Sequence, residues 1–360
     1  MSLLRPRAGR RGPAAAGLDG RPGRNDAVQR RRLPARAGGL LPRLPALNEA
    51  DLPRGLAEHA WTDRRNFLDL PPELSRWDAA GAVILPIPYE ATTSWGTGTR
   101  EGPAAIIEAS RYIEWYDEEL DREPYEVGVC TLPSIDLGTV GPEPAIARLR
   151  ALYDDLLEAA GDRFIIGLGG EHSISSAPAC AWADRLGGDL TILQFDAHTD
   201  LRDRHHDSPW NHACVMRRVL EHGPDGGNRG NAADIVAVGI RALTREERDV
   251  IRDHRIEVVF AHEMRRPGWI ERAAEALGEN VYITFDVDFF DPSLMPATGT
   301  PEPGGGSWWD ALDLLSRVFG ERNVVGADIV ELAPRQGEEA SAFTAAKLAY
   351  KMIGFWSEYR

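Results

Sequence analysis

Three short stretches of the chain carry acid and imidazole side chains whose types suit metal binding. Two histidines and four aspartates form a hard donor set dominated by oxygen, which suits Mn²⁺ and disfavours metals that prefer thiolates. Four carboxylates gathered in one place would repel one another unless divalent cations neutralised them. The candidate ligands are His172, Asp196, His198, Asp200, Asp286 and Asp288.

The spacing within these stretches indicates that the side chains can face the same way. In extended backbone, residues two positions apart point to the same side, as Asp196, His198 and Asp200 would. Asp286 and Asp288 have the same relation. A single aspartate or histidine after a strand is usually a cap or a loop residue, but three such clusters make that explanation weak.

Each cluster follows a short apolar run that is typical of a buried strand. Strands are predicted at 82–87, 163–168, 190–195, 234–238, 256–260, 281–285 and 324–330. Amphipathic spacing predicts helices between them, at 103–116, 144–160, 174–186, 212–221, 244–254, 267–277, 307–319 and 343–355.

This alternation predicts an α/β fold with three layers, in which helices cover a mainly parallel sheet of about eight strands. Sites in open parallel sheets form beyond the carboxyl ends of the strands, where the three clusters are expected to converge. A single domain at 59–360 is the simplest organisation. Residues 1–58, rich in arginine, glycine and proline, are expected to form a disordered basic extension.

The motifs that carry these residues resemble those of the ureohydrolase family of arginases and agmatinases. GGEHS (169–173), FDAHTDLRD (195–203) and FDVDFFDP (285–292) are similar to its three metal motifs. The resemblance extends over roughly residues 82–355. It includes PYEATTSWGTGTREGPAAII (88–107), ATGTPEPGG (297–305) and ADIVEL (327–332).

The resemblance implies an arginase-like fold and a binuclear centre with two Mn²⁺ per subunit. His172, Asp196, Asp200 and Asp286 would hold one ion, and Asp196, His198, Asp286 and Asp288 the other. Hydroxide held between them would attack the guanidinium carbon and release urea. Asp200, in addition to binding metal, and His212 would transfer protons. Glu331 would bind the guanidinium nitrogens.

The substrate is predicted from the loop after the second metal motif. The Ser/Thr/Asn-rich loop with which arginases bind the amino-acid end of their substrate is absent at 201–209. The pattern around 201–218 and Glu302 are agmatinase-like, so agmatine, cleaved to putrescine and urea, is the leading candidate. Arg202, Arg204, His205 and His206 keep open a guanidino acid, such as guanidinobutyrate or guanidinopropionate.

Composition bears on partners and location. The first 50 residues hold eleven arginines and three acids, whereas the whole chain has a net charge of −15. An acidic body argues against nucleic-acid binding and is compatible with a cationic guanidino substrate. No apolar run is long enough to span a bilayer, so no membrane partner is expected. Three scattered cysteines favour a cytoplasmic location.

Two other classes remain alternatives at this point. The protein could be a metal-binding subunit without catalysis, or a zinc-dependent deacetylase on a related fold. The complete set of six ligands, together with His212 and Glu331, speaks against both. The resemblance also implies a homo-oligomer, a trimer or a hexamer.

Overall fold

The computed structural model describes residues 65–222 and 234–360, together with residues 52, 53, 55, 56 and 59. Most of the basic extension expected at 1–58 therefore lies outside the described residues. Leu52 and Leu56 are buried in the hydrophobic core. The packed part of the chain thus begins before the boundary expected at residue 59.

The centre of the molecule is an eight-stranded sheet in which every pairing is parallel. Its strands are β1 (Ala82–Ile87), β2 (Val129–Thr131), β3 (Phe164–Gly169), β4 (Thr191–Phe195), β5 (Asp234–Ile240), β6 (Glu257–Phe260), β7 (Asn280–Asp286) and β8 (Asn323–Val330). Their order across the sheet is β2-β1-β3-β8-β7-β4-β5-β6. The predicted α/β fold is confirmed.

Helices alternate with these strands. They are α1 (Pro72–Ser75), α2 (Gly102–Ser110), α3 (Pro142–Ala160), α4 (Ser176–Arg185), α5 (Val215–Leu220), α6 (Arg245–His254), α7 (Trp269–Glu275), α8 (Trp308–Glu321) and α9 (Ala340–Tyr359). All residues of β1, β3 and β4 are buried, as expected for parallel strands covered on both faces. Among the described helices, none is long and apolar enough to cross a membrane.

The structure differs from the predicted elements at α1, β2 and α2; α1 is a single turn of four residues that was not predicted. Strand β2 was not predicted, because three residues are too few to show a period. The helix predicted at 103–116 ends at Ser110, although Ile113 beyond it is buried. Apolar spacing alone does not separate a helix from a packed turn that follows it, since both bury residues at similar intervals.

Candidate active site

The candidate site lies beyond the carboxyl ends of β3, β8, β7 and β4, which are four neighbouring strands in the middle of the sheet. His172 follows β3, Asp196 follows β4, Asp286 ends β7, and Glu331 follows β8. Residues more than 100 positions apart in the chain are therefore brought to one edge of the sheet. The six predicted metal ligands lie together there.

The first group of ligands surrounds the imidazole of His172. Its Nδ1 lies 3.1 Å from an oxygen of Asp196, 3.0 Å from one of Asp200 and 3.4 Å from one of Asp286. His172 and Asp196 are almost completely buried. An imidazole nitrogen facing three carboxylates is a donor set for a cation.

The second group surrounds His198 and shares one aspartate with the first. Nδ1 of His198 lies 2.9 Å from Oδ2 of Asp288 and 3.6 Å from Oδ1 of Asp196. Oδ2 of Asp196 faces His172 instead. The two oxygens of Asp196 therefore point to the two groups separately, which is the arrangement of a bridging carboxylate.

Hydrogen bonds hold the aspartates in these positions. The amide of His198 donates to Oδ1 of Asp196 over 2.6 Å, and Nε2 of Gln194 donates to Oδ2 over 2.8 Å. Across the strands, the amide of Ala197 donates to Oδ1 of Asp288 over 2.9 Å. In the turn that follows β7, Oδ1 of Asp286 accepts from the amide of Asp288 over 2.8 Å.

A buried polar chain fixes the other side of His172. Its Nε2 lies 2.9 Å from Oγ1 of Thr284, which donates to Oδ1 of Asp328 over 2.7 Å. The hydroxyl of Tyr282 donates to Oδ2 of Asp328 over 2.8 Å. These partners leave Nδ1 of His172 directed at the carboxylates. Tyr282 and Thr284 were not predicted as site residues, because their only signal in the sequence is their position on the strand that leads to Asp286.

Glu331 is held against the first group by its backbone and its side chain. Its amide donates to the carbonyl of Gly170 over 2.8 Å, and its Oε1 accepts from the amide of His172 over 2.6 Å. Gly170 cannot be replaced without a shift, because an added Cβ would lie 1.9 Å from the carbonyl oxygen of Tyr89. Glu331 itself has a left-handed φ of 66°, and Asp200 one of 51°. Such strained conformations persist where the surroundings enforce them.

The electrostatics of this cluster follow from burial and from crowding of like charges. Burial, reinforced by the charge of Asp196, raises the pKa of Asp200 to about 7. Burial and the neighbouring aspartates raise the pKa of Asp286 well above its usual range. Burial lowers the pKa of His198, but Asp288 and Asp196 outweigh it and raise that pKa to about 12. Without cations, the cluster must therefore take up protons.

The donor set fits a pair of dications. Nδ1 of His172 is buried and makes no hydrogen bond with any described residue, although three carboxylates lie close to it. Two sets of ligand atoms, each compact enough for one ion, are His172 with Asp196 and Asp200, and Asp196 with His198 and Asp288. Asp286, the remaining predicted ligand, adjoins the first set.

His212 stands beside Glu331 at the mouth of the site. Its Nδ1 lies 3.9 Å from Oε1 of Glu331, its Nε2 lies 3.3 Å from Oγ of Ser94, and its amide donates to Oγ1 of Thr92 over 2.9 Å. Burial, together with the nearby charge of His172, lowers the pKa of His212 to about 3. His212 is therefore neutral at pH 7.

Glu171 positions the segment that faces His212. Its carboxylate accepts from the amides of Ala91 and Thr92 over 2.7 and 2.6 Å, and from Oγ1 of Thr92 over 2.7 Å. This role of Glu171 was not predicted, although the residue precedes His172 in the first metal motif. The hydrogen bonds of Glu171 join two loops that are about 80 residues apart in the chain, so they can be recognised only in the folded structure.

A cavity of about 520 Å³ opens over the ligands. The loop residues Arg202 and His205 line it, whereas Arg204 and His206 are not among the lining residues. Of the six predicted ligands, His198, Asp200 and Asp286 line it. The lining comprises Ser94, His198, Asp200, Arg202, His205, His212, Ala213, Arg241, Ala242, Leu243, Thr244, Glu247, Asp286, Thr300, Glu302 and Glu331.

Fold and site together are those of a metal-dependent hydrolase, and comparison with known proteins gives the family. Residues 80–354 match the model of the arginase family, so the chain belongs to that family. An N(1)-aminopropylagmatine ureohydrolase of Synechocystis sp. is 41% identical over 301 residues, covering 82% of this chain and 94% of that protein. An agmatinase of Pyrococcus horikoshii is 33% identical over 275 residues, covering 76% and 92%.

Solved structures agree with this assignment. The agmatine ureohydrolase of Thermoplasma volcanium is 27% identical and superimposes with a TM-score of 0.71, covering 83% of this chain and 96% of that one. The predicted membership of the ureohydrolases is therefore confirmed. The protein is a hydrolase of agmatinase type that acts on guanidino compounds.

Proposed function

We propose that this chain is a manganese-dependent ureohydrolase that cleaves agmatine or its N(1)-aminopropyl derivative to urea and an amine. The observation that carries the proposal is the pair of ligand groups that share Asp196, with Glu331 fixed beside them. Agmatine would give putrescine, and the aminopropyl derivative would give spermidine. In each case water adds to the guanidinium carbon and the alkylamine leaves with one further proton.

The six ligands would hold two Mn²⁺ in the two groups described above. Bound metal would lower the pKa of water toward neutrality, so that hydroxide is available near pH 7. Carboxylate oxygens and imidazole nitrogens are the donors that suit Mn²⁺, and none of the three described cysteines, all buried, belongs to either group of ligand atoms.

The carboxylate of Glu331 would orient the guanidinium. Its Oε1 is already fixed by the amide of His172, and the side chain lines the cavity. Burial raises the pKa of Glu331 well above its usual range, and a cationic partner would restore the charged form. Hydrogen bonds between a carboxylate and a guanidinium are charge-assisted and directional, so they hold the reacting carbon in a defined plane.

Asp200 and His212 would move the protons. Asp200, whose Oδ2 faces the first group of ligands, would take a proton from the attacking water at its other carboxylate oxygen and pass it to the leaving nitrogen. His212, neutral and next to Glu331, is suited to exchange a proton between the departing amine and the open side of the cavity.

The identity of the substrate's distal end rests on the relatives and on the cavity. Several relatives carry the name N(1)-aminopropylagmatine ureohydrolase, with identities of 33 to 41%, and others are agmatinases. We therefore place the aminopropyl derivative ahead of agmatine. A guanidino acid is the second candidate, because Arg202 lines the same cavity and could bind a carboxylate.

The test is urea release by the Mn²⁺-loaded protein from agmatine, N(1)-aminopropylagmatine and 4-guanidinobutyrate. We expect the highest kcat/KM for the aminopropyl compound and the lowest for the acid. The matched control is Asp196→Asn purified in the same way, which should release no urea. A metal-loaded wild type that yields no urea from any of the three would overturn the proposal.

A further inference from the structure

The cavity contains more carboxylates than the chemistry at the guanidinium requires. Five acidic residues line it: Asp200, Glu247, Asp286, Glu302 and Glu331. Asp200 and Asp286 belong to the metal cluster, and Glu331 is fixed beside it. Glu247 and Glu302 also line the cavity but have no role in metal or guanidinium binding.

Glu247 is accounted for by its hydrogen bonds within the protein. Oε1 accepts from Oγ1 of Thr199 over 2.8 Å and from the amide of Leu201 over 3.2 Å. Oε2 accepts from the amide of Thr244 over 2.7 Å, which completes the capping box of α6. The side chain is buried, and it stabilises the loop that carries the second metal motif.

Glu302 has a fixed backbone and a free side chain. Its carbonyl accepts from Nε and Nη2 of Arg241 over 3.2 and 2.7 Å. Its carboxylate makes no hydrogen bond or ion pair with any other residue in the described ranges 65–222 and 234–360, and the residue is partly exposed. Because its backbone is fixed and its carboxylate has no partner, Glu302 is suited to binding a cation that enters the cavity.

Arg241 does not neutralise that carboxylate by pairing with it. Its guanidinium donates to five carbonyl oxygens, those of Gly239, Asp288, Phe289, Phe290 and Glu302. The N–H groups of the guanidinium are thus occupied by backbone carbonyl acceptors. Arg241 therefore anchors the segment and leaves the carboxylate of Glu302 available.

Glu302 lies close along the chain to a residue that contacts the metal cluster. Oγ1 of Thr300 lies 3.5 Å from Oδ2 of the metal-cluster residue Asp288. Glu302 is two residues further on, so the Cα atoms of Thr300 and Glu302 are at most about 7 Å apart. Glu302 therefore lines the same cavity as Asp200, Asp286 and Glu331, where the reacting end of the substrate would bind.

We propose that Glu302 is a specificity-determining residue that binds the second, non-reacting ammonium of the substrate. In agmatine this is the primary ammonium at the far end of the chain. In the aminopropyl derivative it is the secondary ammonium in the same position, from which the aminopropyl group continues toward solvent. This inference rests on the proposed function. It means that the side chain of Glu302 favours substrates with a distal ammonium over substrates with a distal carboxylate.

The test uses substrates that differ only at the distal end. Agmatine carries an ammonium there, n-pentylguanidine a methyl group of similar size, and 4-guanidinobutyrate a carboxylate. Glu302→Gln should lower kcat/KM for agmatine by about tenfold or more, mainly through a higher KM, because one charge-assisted hydrogen bond is lost. Activity on n-pentylguanidine should change by less than about threefold, because its methyl group forms no such bond.

Two further variants separate charge from structure. Glu302→Asp should recover part of the agmatine activity, since the charge returns on a shorter side chain. Glu275→Gln, an exposed position on α7, should leave all three substrates unaffected. Equal losses for agmatine and n-pentylguanidine in Glu302→Gln, or no loss for either, would overturn the assignment.

Calorimetric titration with agmatine distinguishes failure of this inference from failure of the proposed function. If wild type releases no urea, the proposed function fails, but binding still tests Glu302. Weaker binding to Glu302→Gln than to wild type, under identical metal loading, supports the inference. Equal binding to both proteins, or no binding to wild type, contradicts it.

Discussion

The backbone amide of His172 donates to Oε1 of Glu331 over 2.6 Å, joining residues that lie 159 positions apart. His172 is the first proposed metal ligand, and Glu331 is the carboxylate proposed to orient the guanidinium. Together with the bond from the amide of Glu331 to the carbonyl of Gly170, this hydrogen bond sets the position of the substrate-binding group relative to the metal cluster. Because β3 and β8 are neighbours in the sheet, this relation is built into the strand order.

Replacement of Glu331 by Gln should separate substrate orientation from metal binding. The amide side chain can still accept from His172 but lacks the charge that pairs with guanidinium. We expect kcat/KM to fall by about a hundredfold or more while both metals are retained, as for the loss of an electrostatic group that acts on the reacting centre. Steady-state kinetics and elemental analysis on one preparation check this. Metal loss in parallel with activity would refute the assigned role.

Asp196 and Asp288 should differ in their effect on metal content. Oxygens of Asp196 face both histidines, whereas Asp288 faces only His198. Asp196→Asn should therefore reduce occupancy at both positions, and Asp288→Asn chiefly at one. Metal per chain after dialysis, measured by elemental analysis, should be close to zero in the first variant and close to one in the second. The same stoichiometry in both would contradict a bridging role.

Thr284 should tune metal affinity without contacting a metal. Thr284→Val removes the hydroxyl that links His172 to Asp328 and keeps the size of the side chain. Loss of such an outer partner typically costs about 10- to 100-fold in metal affinity. Competition with a calibrated chelator measures it. An affinity within about twofold of wild type would show that the chain from Asp328 does not orient His172.

Lys351 in α9 should matter for stability rather than for catalysis. Its Nζ lies 2.8 Å from Oδ1 of the fully buried Asp117 and 2.6 Å from Oε2 of Glu119. Lys351→Met leaves Asp117 charged and unpaired in the interior, which should lower the free energy of unfolding by about 3–5 kcal/mol. Glu119→Gln, at a half-exposed position, should cost less than about 1 kcal/mol.

The stabilisation by Lys351 should also depend on pH in a defined direction. Burial lowers the pKa of Lys351, but the hydrogen bonds to Asp117 and Glu119 outweigh burial and raise it above its ordinary value. A raised lysine pKa stabilises the folded state fully below the unfolded-state value, and this stabilisation is lost as pH rises through the folded-state value. Denaturant unfolding of wild type and Lys351→Met should therefore differ at pH 7 and converge at strongly alkaline pH. A constant difference would contradict the linkage.

The sequence predicted those parts of the site that lie next to strand ends. His172, Asp196 and Asp286 follow short, largely apolar runs, and the carboxyl-end rule for parallel sheets places them together. Strand β2 was not predictable because three residues are too few to show a period, and the early end of α2 because apolar residues continue at similar intervals beyond it. The trimeric or hexameric assembly implied by the family resemblance stays a prediction.

The residues that hydrogen-bond to the proposed ligands and to the neighbouring loop could not be predicted from the sequence, for a different reason. Thr284 donates to Asp328 on β8, and Glu171 accepts from the amide of Thr92 in the loop after β1. Their roles therefore depend on which strands are neighbours. The order β3-β8-β7-β4 cannot be read from chain order, since β8 comes from the far end of the chain. For the same reason, the sequence alone did not predict the free carboxylate of Glu302 over the metal cluster.

The most direct test of the two-metal account is an anomalous difference map from crystals grown with Mn²⁺, recorded at the manganese absorption edge. The account predicts two peaks, one beside Nδ1 of His172 and one beside Nδ1 of His198, with Asp196 contacting both. A single peak, or peaks remote from both histidines, would contradict it.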